Sequence, residues 1–282
     1  MNTEKEFHAA HQDLNDYVDA FAKQVAERGS HPAKGQLAQL AQDIKKDAQN
    51  IATGMISAGD AVDIQSGKIA PLQGATPLQG ATPVGNPDHK PLLARGLTRI
   101  QDAAKSLAVN LADAGKQVRT MVKDKVPGAG QVVKAWDNVL DATSHYTTLG
   151  MKRLTGLAHG MDPEDRYIMG FASGHLQSAQ DIAIDQRKRG ILQNLKSPHL
   201  GEHVLQDAKR LGMIEPCKPV HRGIVLNVVG LEAVLKNAKG QLLALPVTPD
   251  FKFKAGDNLV MKDRGDGFFT GKRQLVERGM ER

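Results

Sequence analysis

The residues with the most recognisable chemical spacing form the pentapeptide His199-Leu200-Gly201-Glu202-His203. It matches H-x-x-E-H, a pattern in which two histidines on one helical face bind zinc and the glutamate acts as general base. A catalytic zinc ion needs a third protein ligand, and no helix-borne acidic cluster follows this segment. We therefore interpret His199, Glu202 and His203 as surface residues, with a metal site as the open alternative, and expect no cofactor.

The other reactive groups are isolated in the sequence. Cys217 is the single cysteine, so it forms no internal disulfide and cannot build a cysteine-based zinc site. Gly128 and Gly130 lack the preceding strand and the lysine of a phosphate-binding loop, which favours a helix break. The sequence thus predicts that the protein is not an enzyme. With no visible secretory signal or membrane-spanning run, we expect a cytoplasmic location.

Basic side chains beside aromatic ones form a second candidate site near the C-terminus. Residues 216–282 carry 12 basic and 7 acidic side chains, a net charge of +5. Lysines next to exposed aromatic rings bind single-stranded nucleic acid by phosphate contact and base stacking. The alternative is that the phenylalanines of this segment form its hydrophobic core and that the lysines lie on its solvent-exposed face. The candidate nucleic-acid-binding residues are Lys252, Lys254, Lys262, Arg264, Phe268, Lys272 and Arg273.

The elements that would position these residues are short strands. After Pro216 and Pro219 the hydrophobic period changes from 3.6 to 2, and turn residues at 237–240 and 263–267 separate the apolar runs. Five such runs so close together predict a small, strongly bent barrel. The expected strands are 223–229, 233–236, 241–245, 258–262 and 267–272.

The preceding residues have helical periodicity, which is most regular between 93 and 121. Apolar residues recur there at alternating steps of four and three, the seam of a coiled coil or a long bundle helix. Basic side chains between 95 and 134 suit an anionic membrane surface as well as phosphate. We expect a protein partner or self-association through these helices. The candidate seam residues are Leu93, Leu97, Ile100, Leu107, Leu111 and Val118.

A proline-rich stretch divides the helical part. The hexapeptide PLQGAT occurs twice in tandem at 71–82, and a proline every six residues excludes a helix and a central strand. We interpret it as an extended tether, with a partner-docking peptide as the alternative. The sequence therefore predicts an α+β multidomain protein, mainly α-helical and bundle-like or coiled-coil-like, with a small five-stranded C-terminal β-barrel. The expected domains are a helical hairpin (1–68), the linker (69–91), a long-helix bundle (92–215) and the barrel (216–282).

The C-terminal segment also resembles a known family. It opens with Gly223-Ile224-Val225, passes through a strand that ends in Leu245-Pro246, and continues with Gly256-Asp257-Asn258-Leu259 and the hairpin Gly265-Asp266-Gly267. This order of elements is similar to the small C-terminal barrel of KfrB-like proteins, and similar barrels end some plasmid relaxases and mobilisation proteins. The resemblance implies plasmid maintenance or conjugative transfer. Because no relaxase core accompanies it, it implies an accessory role without strand cleavage.

These observations favour a non-enzymatic accessory protein that binds nucleic acid or acts as a scaffold in bacterial plasmid transfer or maintenance. The alternative is a helical interaction protein or translocated effector that binds a protein partner or a membrane surface. DNA binding would weaken steeply with salt, whereas lipid binding would require vesicles. The pattern leaves open which nucleic acid, partner and oligomer are involved.

Overall fold

The computed structural model describes residues 3–29, 31–68, 89–195 and 202–274. The chain divides into two compact units, Met1–Arg187 and Lys188–Arg282. The first unit is helical, and the second combines helical residues with a five-stranded sheet. The predicted fold class, a mainly α-helical N-terminal part followed by a small β unit, is confirmed. The tandem repeat at 71–82 lies outside the described residues.

The helices are long, and one of them begins earlier than predicted. His89 starts α3, inside the segment expected to be linker, because its buried ring donates from Nδ1 to the carbonyl oxygen of Ala61 at 2.8 Å. This bond attaches the first turn of α3 to α2. The helices of the described residues are α1 (Thr3–Ala26), α2 (Pro32–Gln65), α3 (His89–Lys123), α4 (Ala129–Leu157), α5 (Pro163–Asn194) and α6 (Glu202–Arg210).

Helix α5 begins at a side-chain cap and continues past a glycine near its C-terminus. Oδ1 of Asp162 accepts the backbone N–H of Asp165 at 2.9 Å, and this cap lowers the pKa of the Asp162 carboxyl. The basic run Arg187-Lys188-Arg189 followed by Gly190 is typical of a helix C-terminus. The helix continues because Ile191 is buried, together with Leu195, in the core of the second unit. Burying such side chains outweighs the cost of one helical glycine, about 1 kcal/mol.

The regular seam of α3 is buried inside the chain itself. Each of the six seam candidates is at most 6% exposed, and α3 packs mainly on α2. A seam used in this way joins helices of one chain. Self-association stays a prediction, and a different surface would have to carry it. The six residues are Leu93, Leu97, Ile100, Leu107, Leu111 and Val118. No helix in the described parts of the chain is both long and apolar enough to span a membrane.

Helices α2 and α3 touch backbone to backbone at two glycines. A methyl group on Gly54 would lie 2.7 Å from the carbonyl oxygen of Gly96 and 2.7 Å from Cγ1 of Ile100. A methyl group on Gly96 would lie 2.9 Å from the backbone nitrogen of Ala58. These distances are well below the optimal separation of non-bonded atoms. Only glycine at both positions permits this approach.

The C-terminal sheet is entirely antiparallel and open. Its strands are β1 (Val220–Val229), β2 (Glu232–Lys236), β3 (Leu242–Pro246), β4 (Asn258–Asp263) and β5 (Phe269–Arg273), in the order β3-β2-β1-β4-β5. All five predicted strands are present. The word barrel describes this sheet only loosely, because β3 and β5 form two separate edges and the sheet is not closed. An isolated β-bridge joins Val247, which follows β3, to Phe269 at the start of β5.

The two faces of the sheet have different surroundings. The inner face encloses a core that contains Val225, Leu235 and Met261. On the outer face, Leu205 of α6 and its neighbours share a second core with residues of β2 and β3. This cover stops short of β4, β5, the first half of β1 and the last residue of β2, whose outward side chains are exposed or half-buried. The fold therefore leaves half of one sheet face open to solvent.

Candidate functional site

The open half of the outer sheet face carries four basic side chains. Arg222 lies on β1, Lys236 on β2, Lys262 on β4 and Lys272 on β5, and all four are exposed. We call these four residues the basic sheet face. None of them forms an ion pair with another residue in the described parts of the chain.

The strand register places the four cations on one side of the sheet. Directly paired residues of antiparallel strands point to the same face. The strand spacing and the rise per residue put the two most distant positions, Lys236 and Lys262, roughly 16 Å apart. No acidic residue occupies any of the three rows, so the local charge is uncompensated. The rows are Lys236-Ile224-Asn258, Arg222-Val260-Lys272 and Val220-Lys262-Thr270.

Two exposed aliphatic side chains lie among the cations. Val220 is 49% exposed and Ile224 is 48% exposed. Both are shorter than lysine and arginine, whose flexible stems carry the charged groups further from the backbone. The outermost layer of this face is therefore charged, and the aliphatic side chains lie beneath it.

A groove of about 280 Å³ extends the basic sheet face beside β1. Lys218 and Lys239 line it together with Arg222. The acidic side chain in its lining is Glu215, whose Oε2 accepts a hydrogen bond from Nδ2 of Asn237 at 3.3 Å. Three cations and one carboxylate leave the groove positive.

Two of the seven predicted binding residues, Lys262 and Lys272, belong to the basic sheet face. Arg264 and Arg273 lie elsewhere and each faces a carboxylate. Nη2 of Arg264 is 3.2 Å from Oδ2 of Asp266. Nη2 of Arg273 is 3.3 Å from an oxygen of Asp257, which has a lowered pKa because it accepts a backbone N–H bond and lies near this positive charge. These arginines are partly neutralised.

Lys252 and Lys254 are exposed on a loop at the inner side of the sheet. Phe253, between them, packs over Gly271, where a methyl group would lie 2.9 Å from its ring. Gly271 pairs with Met261, which is part of the inner core. This packing agrees with the alternative in which the phenylalanines serve the core. The structure therefore does not bring the two loop lysines together with Lys262 and Lys272.

Phe268, the last of the predicted residues, lies at the end of the β4–β5 hairpin and is half-buried. Its carbonyl oxygen accepts the backbone N–H of Arg264 at 3.0 Å. A half-buried ring offers one limited stacking surface beside the basic sheet face.

Sequence reasoning missed Arg222 and Lys236. The expected first strand began at 223, so Arg222 fell just outside it. The observed strand begins three residues earlier, and its alternation over 220–224 does not follow hydrophobicity, because Val220 and Ile224 are exposed while His221 is buried. Lys236 joins the face only through its pairing with Ile224, which no local pattern specifies.

The metal alternative at His199, Glu202 and His203 stays a hypothesis. His199 lies outside the described residues, and Glu202 and His203 begin α6. Within the described ranges, no three histidine, cysteine, aspartate or glutamate side chains are grouped to hold a metal ion.

His221 lies on the inner face, next to Arg222 in the chain. It is 6% exposed, and Nε2 accepts the backbone N–H of Lys218 at 2.7 Å, so the neutral ring carries its proton on Nδ1. Burial lowers the pKa of His221, an effect that Glu215 opposes and Lys218 reinforces.

We expect a lower pH to reduce the free energy of unfolding of the second unit through His221. Because its pKa is lower in the folded state, the unfolded chain takes up the proton first. The stabilisation is complete above the ordinary value of 6.5 and is lost as the pH falls toward the lowered folded value. Denaturation followed by NMR signals of β1 at about pH 7 and about pH 5 measures this loss. His221→Gln should remove most of the difference, and an equal pH dependence in this variant would contradict the assignment.

Comparisons of the chain with protein-family models, curated proteins and solved structures give no significant match. The fold and the site define a class in physical terms: a helical protein whose C-terminal unit presents an exposed basic face on an open sheet. The function is therefore inferred from that face.

Proposed function

We propose that this protein is a non-enzymatic accessory factor that binds nucleic acid through the basic sheet face. The observation that supports this is the grouping of four exposed cations on one face without an acidic residue in the same rows. Phosphate backbones supply the complementary charge, and contacts to them dominate the affinity of nucleic-acid-binding proteins.

The resemblance of the C-terminal segment to the small barrels of KfrB-like proteins supports a setting in plasmid maintenance or conjugative DNA transfer, in the cytoplasm. In this role the helical unit is a scaffold that contacts a protein partner or a second copy of the chain. An open sheet serves the proposal as well as a closed barrel, because the proposal depends on the exposed face.

Salt dependence tests the proposal directly. We expect the full-length chain to bind a short labelled DNA duplex, with Kd rising by about two orders of magnitude between about 50 and 200 mM salt. Four phosphate contacts give a logarithmic salt slope of about −3.6, which produces this change. Fluorescence anisotropy measures it, and a duplex with uncharged methylphosphonate linkages is the matched control. Absence of binding at the lower salt concentration would overturn the proposal.

A helical surface favours a second candidate function, an interaction protein. Tyr167 and Phe171 on α5 are 71% and 50% exposed, and their rings meet edge to face with centroids 5.2 Å apart. Gly170 and Gly174 lie on the same side of the helix, with open space above them. Exposed aromatic side chains are enriched at protein interfaces. Under this candidate, replacing both aromatic residues with serine abolishes partner binding, whereas the first proposal predicts unchanged DNA binding.

A further inference from the structure

We infer that the basic sheet face binds double-stranded nucleic acid by the phosphates on both sides of a groove, without stacking on bases. This inference rests on the proposed function and specifies its ligand. The spread of the charges, the residue types between them and the length of the side chains each support it.

The charges are spread over the sheet in two dimensions. Arg222 and Lys272 lie in one row, two strand spacings or about 10 Å apart, and Lys262 lies one row further along. The phosphates of a single strand follow one line. A duplex presents two backbones across a groove about 6 or 12 Å wide. A face of these dimensions can contact both backbones at once.

The residues between the cations offer no stacking platform. They are aliphatic or small and polar: Val220, Ile224, Asn258, Val260 and Thr270. Proteins that hold single strands place aromatic rings among their basic residues. In this unit the other phenylalanines contribute to the inner core, and Phe268 stands half-buried at the end of a hairpin.

Charge density also favours the duplex. Double-stranded DNA carries about one negative charge per 1.7 Å of its axis, compared with about one per 3.4 Å for each strand. Four cations within roughly 16 Å therefore meet more phosphates on a duplex than on a single strand.

The layering of the face argues against a lipid surface. Membrane-binding surfaces insert apolar groups below the headgroups, so those groups must extend furthest from the protein. Here the lysine and arginine heads extend beyond Val220 and Ile224. The charged layer would keep both aliphatic side chains away from the acyl region.

The deciding experiment compares three ligands with the full-length chain at one low salt concentration. They are a labelled duplex, an oligothymidine strand of the same length, and vesicles that contain phosphatidylserine. We expect the duplex to bind about tenfold more tightly than the strand, and the vesicles to bind more weakly than either. A 2-aminopurine reporter in a second, mixed-sequence single strand should keep its fluorescence, because no base stacks on the protein.

The variant Phe268→Leu separates the two binding modes, because it removes the half-buried aromatic ring at the end of the hairpin. Both Kd values should stay within about twofold of the wild type, because phosphate contacts, which do not involve this ring, carry the binding of both ligands. Tighter binding of the single strand, or weaker strand binding by Phe268→Leu, would overturn the duplex inference and leave the proposed function standing. Failure to bind either nucleic acid would overturn both, whether or not the vesicles bind.

Discussion

Replacing Gly54 with alanine should destabilise the helical unit by about 2 kcal/mol or more. The added methyl group would lie 2.7 Å from the carbonyl oxygen of Gly96, a backbone atom that cannot move unless α2 and α3 separate. Alanine favours a helix by about 1 kcal/mol over glycine, so the steric cost must exceed this gain. Thermal unfolding followed by circular dichroism at the helical band measures the net effect, since most helical residues belong to this unit.

Gly35 in the same helix provides the matched control. It is exposed, and an added methyl group would have no neighbour within 4 Å. Gly35→Ala should therefore stabilise the unit by up to about 1 kcal/mol through helix propensity. If both variants changed stability in the same direction by similar amounts, the close approach of α2 and α3 at Gly54 would be refuted.

The sequence could predict which residues of the helices are buried, but not how close two helices come. Regular spacing identified Leu97 and Ile100 as part of one apolar stripe, and both are buried. Judged by helix propensity alone, Gly54 only lowers the stability of α2. Its value lies in a contact with Gly96, and such a contact depends on which helices are neighbours. Periodicity along one helix contains no information about its neighbour.

The sheet shows the same division between local and long-range information. Alternating hydrophobicity and turn residues located all five strands within three residues of their observed ends. The order of the strands, and the cover that α6 gives to one half of the outer face, depend on long-range pairing. Lys262 was recognised as a candidate because it is basic and near other cations in sequence. Arg222 and Lys236 lie on strands that are far from Lys262 in the sequence, so only the strand register places them on the same face as Lys262.

Removing two cations from the basic sheet face should weaken duplex binding about 100-fold at 0.1 M salt, since each phosphate contact contributes about a factor of ten there. In the double variant Lys262→Gln/Lys272→Gln the logarithmic salt slope should also fall by about 2. Both side chains are exposed, so stability should change by about 0.5 kcal/mol or less. Anisotropy titrations at several salt concentrations give Kd and slope together.

The double variant Lys252→Gln/Lys254→Gln removes the same charge from the loop at the inner side of the sheet. It should weaken binding by less than about threefold, because these lysines contribute only to the long-range field, which salt screens over about 10 Å. The pair Arg222→Gln/Lys236→Gln should behave like Lys262→Gln/Lys272→Gln, although it lies on other strands. Equal losses in all three double variants would mean that net charge drives binding, and the assignment to one face would fail. If only Lys262→Gln/Lys272→Gln and Arg222→Gln/Lys236→Gln lose affinity, all four cations of the basic sheet face must contact the same ligand.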